Sequence, residues 1–221
     1  MFTKTSKRGN ISIVNLYVDD LIFTSNDELM FAEFKNSMLR EFDMTDLGTM
    51  RFFLGIEVLQ RSYGIYICQK KYALEVLKRF RMENNNLVHN SIVPGCKLYT
   101  NENGVHVDKT LFQQIMGCLM YLTATRPNLM FAISLISMYM TKPTKLHLMA
   151  TNRILRYLKG AIGLRVFYKK GGSEGLVAYL ENNYAGDIKD RKSTSDYVFM
   201  LGFGVVAWSS RKQPIITLST T

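Results

Sequence analysis

Two adjacent aspartates, Asp19 and Asp20, are the residues of this chain whose type and setting best suit chemistry. They fall between two apolar, β-prone runs, residues 11–16 and 21–24. That pattern reads as a pair of strands with the carboxylates at their turn. Acidic oxygens projecting from the end of a rigid sheet can grip a hard cation such as Mg2+, and a gripped cation can serve phosphoryl transfer. An ordinary tight turn fits the same dipeptide, because an Asp side chain bonds its own backbone.

The elements that must position this pair read as a mixed α and β order. Residues 11–17 and 21–25 are predicted strands around a turn at Val18, Asp19 and Asp20. Residues 27–42 read as an amphipathic helix capped by Asn26 or Asp27, with Phe31, Phe34, Met38 and Phe42 on one face as expected core. A second hairpin is predicted over 52–59 and 65–68 with Tyr63-Gly64 at its turn, then a helix over 70–82. Asn-rich, Gly- and Pro-containing sequence at 83–108 reads as a linker. Three helices follow, over 109–123, 128–140 and 145–159, punctuated by Arg126-Pro127, Pro143 and Gly160. Beyond Gly171-Gly172, residues 176–180, 197–201 and 205–209 read as three successive strands.

A formal net charge of +10 over 221 residues favours contact with a polyanion, since each phosphate neutralised by Lys or Arg releases counterions. On a helical wheel of residues 145–159, Lys145, Asn152, Arg156 and Lys159 share one side with Arg153 flanking, while Leu148, Leu155 and Leu158 take the neighbouring arc. Such a face can meet phosphate or simply be solvated. Cys68, Cys96 and Cys118 lack paired spacing, which argues against a zinc module and a disulfide framework. His89, His106 and His147 have no partner at metal-ligand spacing and are expected at the surface. Residues 1–10 are polar and basic, and no run approaches membrane-spanning length, so no signal peptide, anchor or membrane partner is expected.

The stretch Asn15-Leu16-Tyr17-Val18-Asp19-Asp20-Leu21-Ile22-Phe23-Thr24 resembles the YVDD motif of reverse transcriptases of the Ty1/copia class of retrotransposons. Further landmarks follow in the family's order. Met44-Thr45-Asp46-Leu47-Gly48, Phe53-Leu54-Gly55-Ile56-Glu57-Val58 and Gln69-Lys70-Lys71-Tyr72-Ala73 are similar to the segments after the catalytic hairpin. Gly117-Cys118-Leu119-Met120-Tyr121-Leu122-Thr123-Ala124-Thr125-Arg126-Pro127 and Arg153-Ile154-Leu155-Arg156-Tyr157-Leu158-Lys159-Gly160 match two more. Tyr184-Ala185-Gly186-Asp187, Asp190-Arg191-Lys192-Ser193-Thr194-Ser195 and Trp208-Ser209-Ser210-Arg211-Lys212-Gln213 resemble the opening of the family's RNase H domain.

The resemblance implies an α+β fold. Residues 1–82 would be part of a reverse transcriptase palm with its catalytic hairpin, 83–108 an irregular linker, 109–170 a helical thumb and connection region, and 171–221 the first three strands of a truncated RNase H-like sheet. It implies Mg2+ on Asp19 and Asp20, and a template–primer duplex of RNA and DNA as partner, met by Lys145, Arg153, Arg156 and Lys159. The rest of a Pol polyprotein is a further implied partner, and the family's cytoplasmic virus-like particle the implied location. In the family another Asp comes from a strand well upstream, whereas only residues 1–15 precede the hairpin motif here, so an incomplete metal cage is expected. Glu181 stands where the family's RNase H carries a catalytic Asp, and Asn183 replaces a nearby acid, so that site is expected to be degraded as well. The leading expectation is therefore a Pol fragment of the RNA-directed DNA polymerase family, inactive by itself. One alternative is a piece of a larger active polyprotein. Another is a retained, non-catalytic nucleic-acid-binding protein derived from the element.

Overall fold

The computed structural model describes residues 1–95, 98–99, 103–171, 175–183, 186–187 and 190–216. The chain divides into two compact units, Met1–Met50 and Arg51–Thr221. Cys96, Tyr184 and Ala185, singled out in the sequence, lie outside the described residues.

In the first unit β1 (Phe2–Thr5), β2 (Ile11–Tyr17) and β3 (Asp20–Ser25) form an antiparallel sheet in that order. The helix α1 (Glu28–Glu41) follows at once, and the Asp27 carboxylate caps it by accepting the Met30 N–H at 2.9 Å. The expectation that the aromatic stripe of this helix forms core does not hold. No residue of α1 is buried, and Phe31 and Phe42 remain 39% and 58% exposed. Phe31 and Phe34 meet Phe23 of β3 at 4.5 and 5.0 Å between ring centroids, which covers one flank of the helix. Three strands and one helix are too few to enclose that stripe within this unit.

The second unit holds a buried helical core and two antiparallel sheets that meet through β7 and β10. Here β4 (Phe52–Phe53), β5 (Ile56–Arg61), β6 (Gly64–Cys68) and β7 (Val166–Lys169) form one antiparallel sheet in that order. The predicted single strand over 52–59 is thus two strands. Leu54 and Gly55, at φ 47° and 74°, turn the chain between them. Gly64 opens β6 because a Cβ there would lie 2.4 Å from the Tyr168 carbonyl oxygen across the ladder.

The core lies among α2 (Lys70–Arg79), α3 (Lys109–Leu122), α4 (Met130–Ser137) and α5 (Lys145–Gly160). Leu77, Phe112, Leu119, Ile133, Ile154, Leu155 and Leu158 are buried in one cluster. Pro127 starts a single 3-10 turn, Pro127–Leu129, that leads into α4, so the predicted helix 128–140 is shorter than its apolar pattern. The last three strands, β8 (Leu176–Asn183), β9 (Thr194–Leu201) and β10 (Gly204–Lys212), form an antiparallel meander in the order β10-β9-β8. The β8–β9 pair runs longer than predicted at the end where Asn183 faces Thr194, and β10 runs longer at both of its ends. Hydrogen bonds from Ser134 Oγ to the Ser210 oxygen, 2.8 Å, and from Tyr168 Oη to the Val205 oxygen, 2.9 Å, tie β10 to α4 and β7. Among the described residues, no helix is long and apolar enough to cross a membrane.

Residues 83–108 contain no helix or strand among those described, apart from an isolated bridge between His106 and Thr144. They are nevertheless packed: Leu98 is buried in the helical core, and its carbonyl accepts the Tyr139 hydroxyl at 2.8 Å. His147 corrects another expectation, since it is fully buried rather than at the surface. Its ring stacks on Tyr139, with centroids 4.1 Å apart, and its Nδ1 accepts the Thr144 N–H at 3.0 Å. Its Nε2 faces the Tyr99 carbonyl oxygen at 3.2 Å, which fixes the neutral tautomer with the proton on Nε2. Polar residues at a helix start are expected to be exposed, and nothing in a single sequence reveals that this one is roofed over.

Burial lowers the His147 pKa below its ordinary 6.5, against a smaller opposing effect of the Tyr99 carbonyl. A depressed folded-state value gives stability that is full above 6.5 and is lost as pH falls below it, because only the unfolded chain then takes up the proton. Thermal unfolding followed between pH 7.5 and pH 5 should show a falling midpoint, and His147→Gln should flatten that fall while lowering the midpoint at pH 7.5. An equal slope in the variant would place the pH dependence elsewhere.

Candidate functional site

The hairpin that carries Asp19 and Asp20 is built from its base upward. Ile11 and Asn26 close the base, with the Ile11 N–H donating to Asn26 Oδ1 at 2.8 Å and the Asn26 N–H donating to the Ile11 oxygen at 3.2 Å. Beside them Asn10 Nδ2 donates to Asp27 Oδ2 at 2.6 Å, and the Ser12 and Ser25 hydroxyls bond at 2.9 Å. The register then runs Val14 opposite Phe23, Leu16 opposite Leu21, and Tyr17 opposite Asp20. A two-residue connection, Val18-Asp19, is what remains. Asp20 is therefore the first residue of β3 and not part of the turn, as the sequence had suggested.

Val18 adopts φ 51°, a left-handed conformation that a β-branched residue rarely takes. Such a conformation costs on the order of 1–3 kcal/mol and persists only where the surrounding structure imposes it. Here the six-residue ladder on either side imposes it. Both aspartates are exposed at the tip. Among the described residues, no three His, Cys, Asp or Glu side chains converge to hold a metal. The site thus offers two hard oxygen ligands in the open, a donor set that suits Mg2+ shared with substrate phosphates.

Over residues 1–94 the chain matches the family model described as reverse transcriptase (RNA-dependent DNA polymerase). It is 35% identical over 216 residues to the retrovirus-related Pol polyprotein from transposon RE1 of Arabidopsis thaliana, covering 97% of this chain and 15% of that protein. It is 33% identical over 231 residues to the corresponding polyprotein from transposon TNT 1-94 of Nicotiana tabacum, covering 100% of this chain and 17% of that protein. An uncharacterized mitochondrial protein of Arabidopsis thaliana is 30% identical over 207 residues, 93% of this chain and 85% of its own length. The chain belongs to the copia-type reverse transcriptase family. It spans about 15% of the length of the first polyproteins it matches. No solved structure matches it.

The other residues singled out in this copia-type chain lie in the second unit. Glu181 is exposed on β8, directly opposite Asp196 of β9, which is itself opposite Ser210 of β10. Burial pushes the Asp196 carboxyl above its ordinary range and the Glu181 charge adds to this, partly offset by the Ser210 hydroxyl. Asp196 escaped the sequence reading because the predicted strand began one residue after it. Asp187 and Asp190 both bind Lys212, at 2.7 and 2.8 Å. Burial works against the Lys212 charge, yet the two carboxylates outweigh it and raise its pKa. That arrangement fastens the loop before β9 to the end of β10.

The basic face of α5 is engaged with the protein itself. Arg153 Nε donates to the Asn90 oxygen at 3.1 Å, Arg156 Nε to the Asn86 oxygen at 2.6 Å, and Lys159 Nζ to the Asn85 oxygen at 2.9 Å. Three cations in a row along one helix face thereby hold a strand-free segment against it. Lys145 is exposed at the other end of the helix, its backbone N–H bonded to the Val105 oxygen at 2.8 Å. The segment at 85–90 has no regular structure of its own, so these charge-assisted bonds are much of what keeps it in place. Arg156→Ala should cost about 1–3 kcal/mol in chemical denaturation, and should speed amide exchange at residues 85–90. Unchanged stability and exchange would mean that the segment is held by its apolar contacts alone.

Proposed function

We propose that this chain carries the Asp19 and Asp20 part of an RNA-directed DNA polymerase acting on a primer–template duplex, and that the 221-residue chain alone does not extend primers. The observation that carries this reading is the exposed carboxylate pair at the tip of a two-residue hairpin, inside the segment that matches the reverse transcriptase family. Asp19 and Asp20 would hold Mg2+, which when bound supplies charge neutralisation for phosphoryl transfer. The ladder beneath them fixes the backbone positions from which both carboxylates emerge, without help from the ion. Two carboxylates at one hairpin tip leave most of the ligand positions of a two-metal centre to groups from elsewhere.

Purified chain is expected to give no extension of a DNA primer on an RNA template with Mg2+. A chimera that places the upstream polymerase segment of a copia-type relative before Met1 should extend it, and Asp19→Asn in the chimera should abolish extension. Extension by the chain alone, lost in Asp19→Asn, would overturn the proposal of an incomplete centre.

We read the β8–β9–β10 meander as the opening of an RNase H-like sheet, supported by its antiparallel order and by the landmarks around Asp187 and Trp208. Glu181 in place of Asp moves the carboxylate by about one C–C bond, and Mg2+ tolerates such displacement poorly. Asp187 and Asp190 already serve Lys212. The chain is expected to leave the RNA of an RNA–DNA hybrid intact, in the Glu181→Asp variant too. Hybrid cleavage in that variant would show that the substitution alone had silenced the site.

A second reading, nucleic-acid binding without catalysis, is favoured by the net charge of +10.

A further inference from the structure

Strand β8 closes the sheet ordered β10-β9-β8, and among the described residues no strand pairs with its outer side. The Gly202 N–H donates to the Gly175 oxygen at 3.2 Å, in line with the ladder that pairs Leu176 with Leu201. Along an antiparallel ladder, residues alternate between directing their backbone groups at the partner strand and directing them away. Val177, Tyr179 and Glu181 therefore face β9 with their N–H and C=O groups, whereas Leu176, Ala178, Leu180 and Asn182 turn theirs outward. Those outward groups are a template for one more strand.

The devices that ordinarily keep an edge single are missing from this one. Strand β8 has eight residues, contains no Lys, Arg or Pro, and pairs with β9 in unbroken register. Every residue from Leu176 to Asn182 is exposed, Tyr179 to 60% and Leu180 to 75%, so apolar side chains stand bare on both faces of the strand.

Charge and sequence symmetry indicate what fits this edge. A net charge of +10 makes two copies of the chain repel along most approaches, yet β8 and β9 hold no cation, only the carboxylates of Glu181 and Asp196. Two identical antiparallel strands related by a two-fold axis bring residues of the same face opposite each other, so their register can change only in steps of two. Centred on Ala178, β8 sets Leu176 opposite Leu180 of the copy and Val177 opposite Tyr179, apolar against apolar on both faces. Glu181 then lies beyond these pairs, roughly 20 Å from its counterpart at about 3.3 Å per residue. Centred on Tyr179 or on Leu180, the same strand would set Glu181 against Val177 or Tyr179.

We propose that β8 is a self-association edge, pairing antiparallel about Ala178 with β8 of a second copy of this chain, so that two three-stranded sheets become one. The pairing involves neither the hairpin aspartates nor nucleic acid, so it stands or falls independently of the polymerase reading.

Sedimentation velocity of the whole chain from micromolar to millimolar concentration tests it, together with amide exchange. The parent is expected to pass from monomer to dimer. Ala178→Pro deletes an outward N–H without touching the β8–β9 ladder and should keep the chain monomeric. Leu180→Lys leaves every backbone group of β8 in place, reads the same contact, and should weaken association about tenfold or more. Leu111→Lys, at an exposed apolar position on α3, should leave association unchanged. In the parent, the amides of Leu176, Ala178 and Leu180 should gain protection as concentration rises, while those of Val177 and Tyr179 are protected by β9 throughout. A parent that stays monomeric at millimolar concentration, dimers or larger particles undiminished in both β8 variants, or an equal loss of association in Leu111→Lys would overturn the proposal.

Discussion

A guanidinium buried to 1% exposure has to find acceptors, and the way Arg126 does so organises the second unit. Its Nη1 and Nη2 donate to the Ala161 and Ile162 carbonyl oxygens at 2.6 and 3.1 Å, where the carbonyls at the end of α5 carry partial negative charge. Burial lowers its pKa from the ordinary guanidinium value, and it remains the cation that closes this helix end. The neighbouring residues on the same corner each hold a different element. Thr125 Oγ1 donates to Gln69 Oε1 at 2.9 Å, and Gln69, fully buried just before α2, donates through Nε2 to the Tyr121 oxygen at 3.3 Å. The Thr123 oxygen accepts the Trp208 indole N–H at 2.8 Å, and the Tyr121 hydroxyl donates to the Leu54 oxygen. Tyr121 in the last turn of α3 and Thr123, Thr125 and Arg126 just beyond it thus join the turn after β4, the start of α2, the end of α5 and β10. Hydrogen bonds in such a dry corner are strong when complete and costly when one partner is lost, so the stretch from Tyr121 to Arg126 tolerates little change.

This corner also explains why a run of small and polar residues reads as a landmark although it holds no catalytic group. From the sequence, Arg126-Pro127 is visible as the end of a helix and the start of the next turn. What stays invisible is that Arg126 is inside, because burial of a charge depends on acceptors contributed from residues 161 and 162, far along the chain. The same limit applies to His147, roofed by Tyr99 and Tyr139. The hairpin, by contrast, was legible almost residue by residue, since alternation and a two-residue turn are local signals. The stripe on α1 was legible as a pattern and misread as burial: periodicity says which residues share a face, not whether that face is covered.

Charge follows the same division. The net charge of +10 is a property of composition, but the individual cations have separate occupations. Arg126 ends a helix, Arg153, Arg156 and Lys159 hold a segment of backbone, and Lys212 bridges two carboxylates. Those contacts use donors that a helical wheel assigns to a free surface. The cations around Phe52 and Tyr66 come from sequence positions as distant as 51 and 165, and only the pairing of β6 with β7 brings them to one cavity. A basic face on one helix and a group of cations assembled by tertiary structure are thus different things, and only the first is legible in a single sequence.

The hairpin tip shows the reverse relation, in which local preference gives way to the surrounding ladder. A two-residue hairpin connection favours Gly or Asn where the backbone turns left-handed, and Val18 satisfies neither preference. Relaxing its backbone would require breaking the Tyr17–Asp20 pair or slipping the register, and a slip by one residue would send every side chain of β3 to the opposite face. Phe23 would then leave Phe31 and Phe34, and Ser25 would lose Ser12. The strain at Val18 is consequently held by contacts at the far end of the same two strands. Because those contacts also fix where Asp19 and Asp20 emerge, the positions of the carboxylates depend on a serine pair and three phenylalanines away from the hairpin tip.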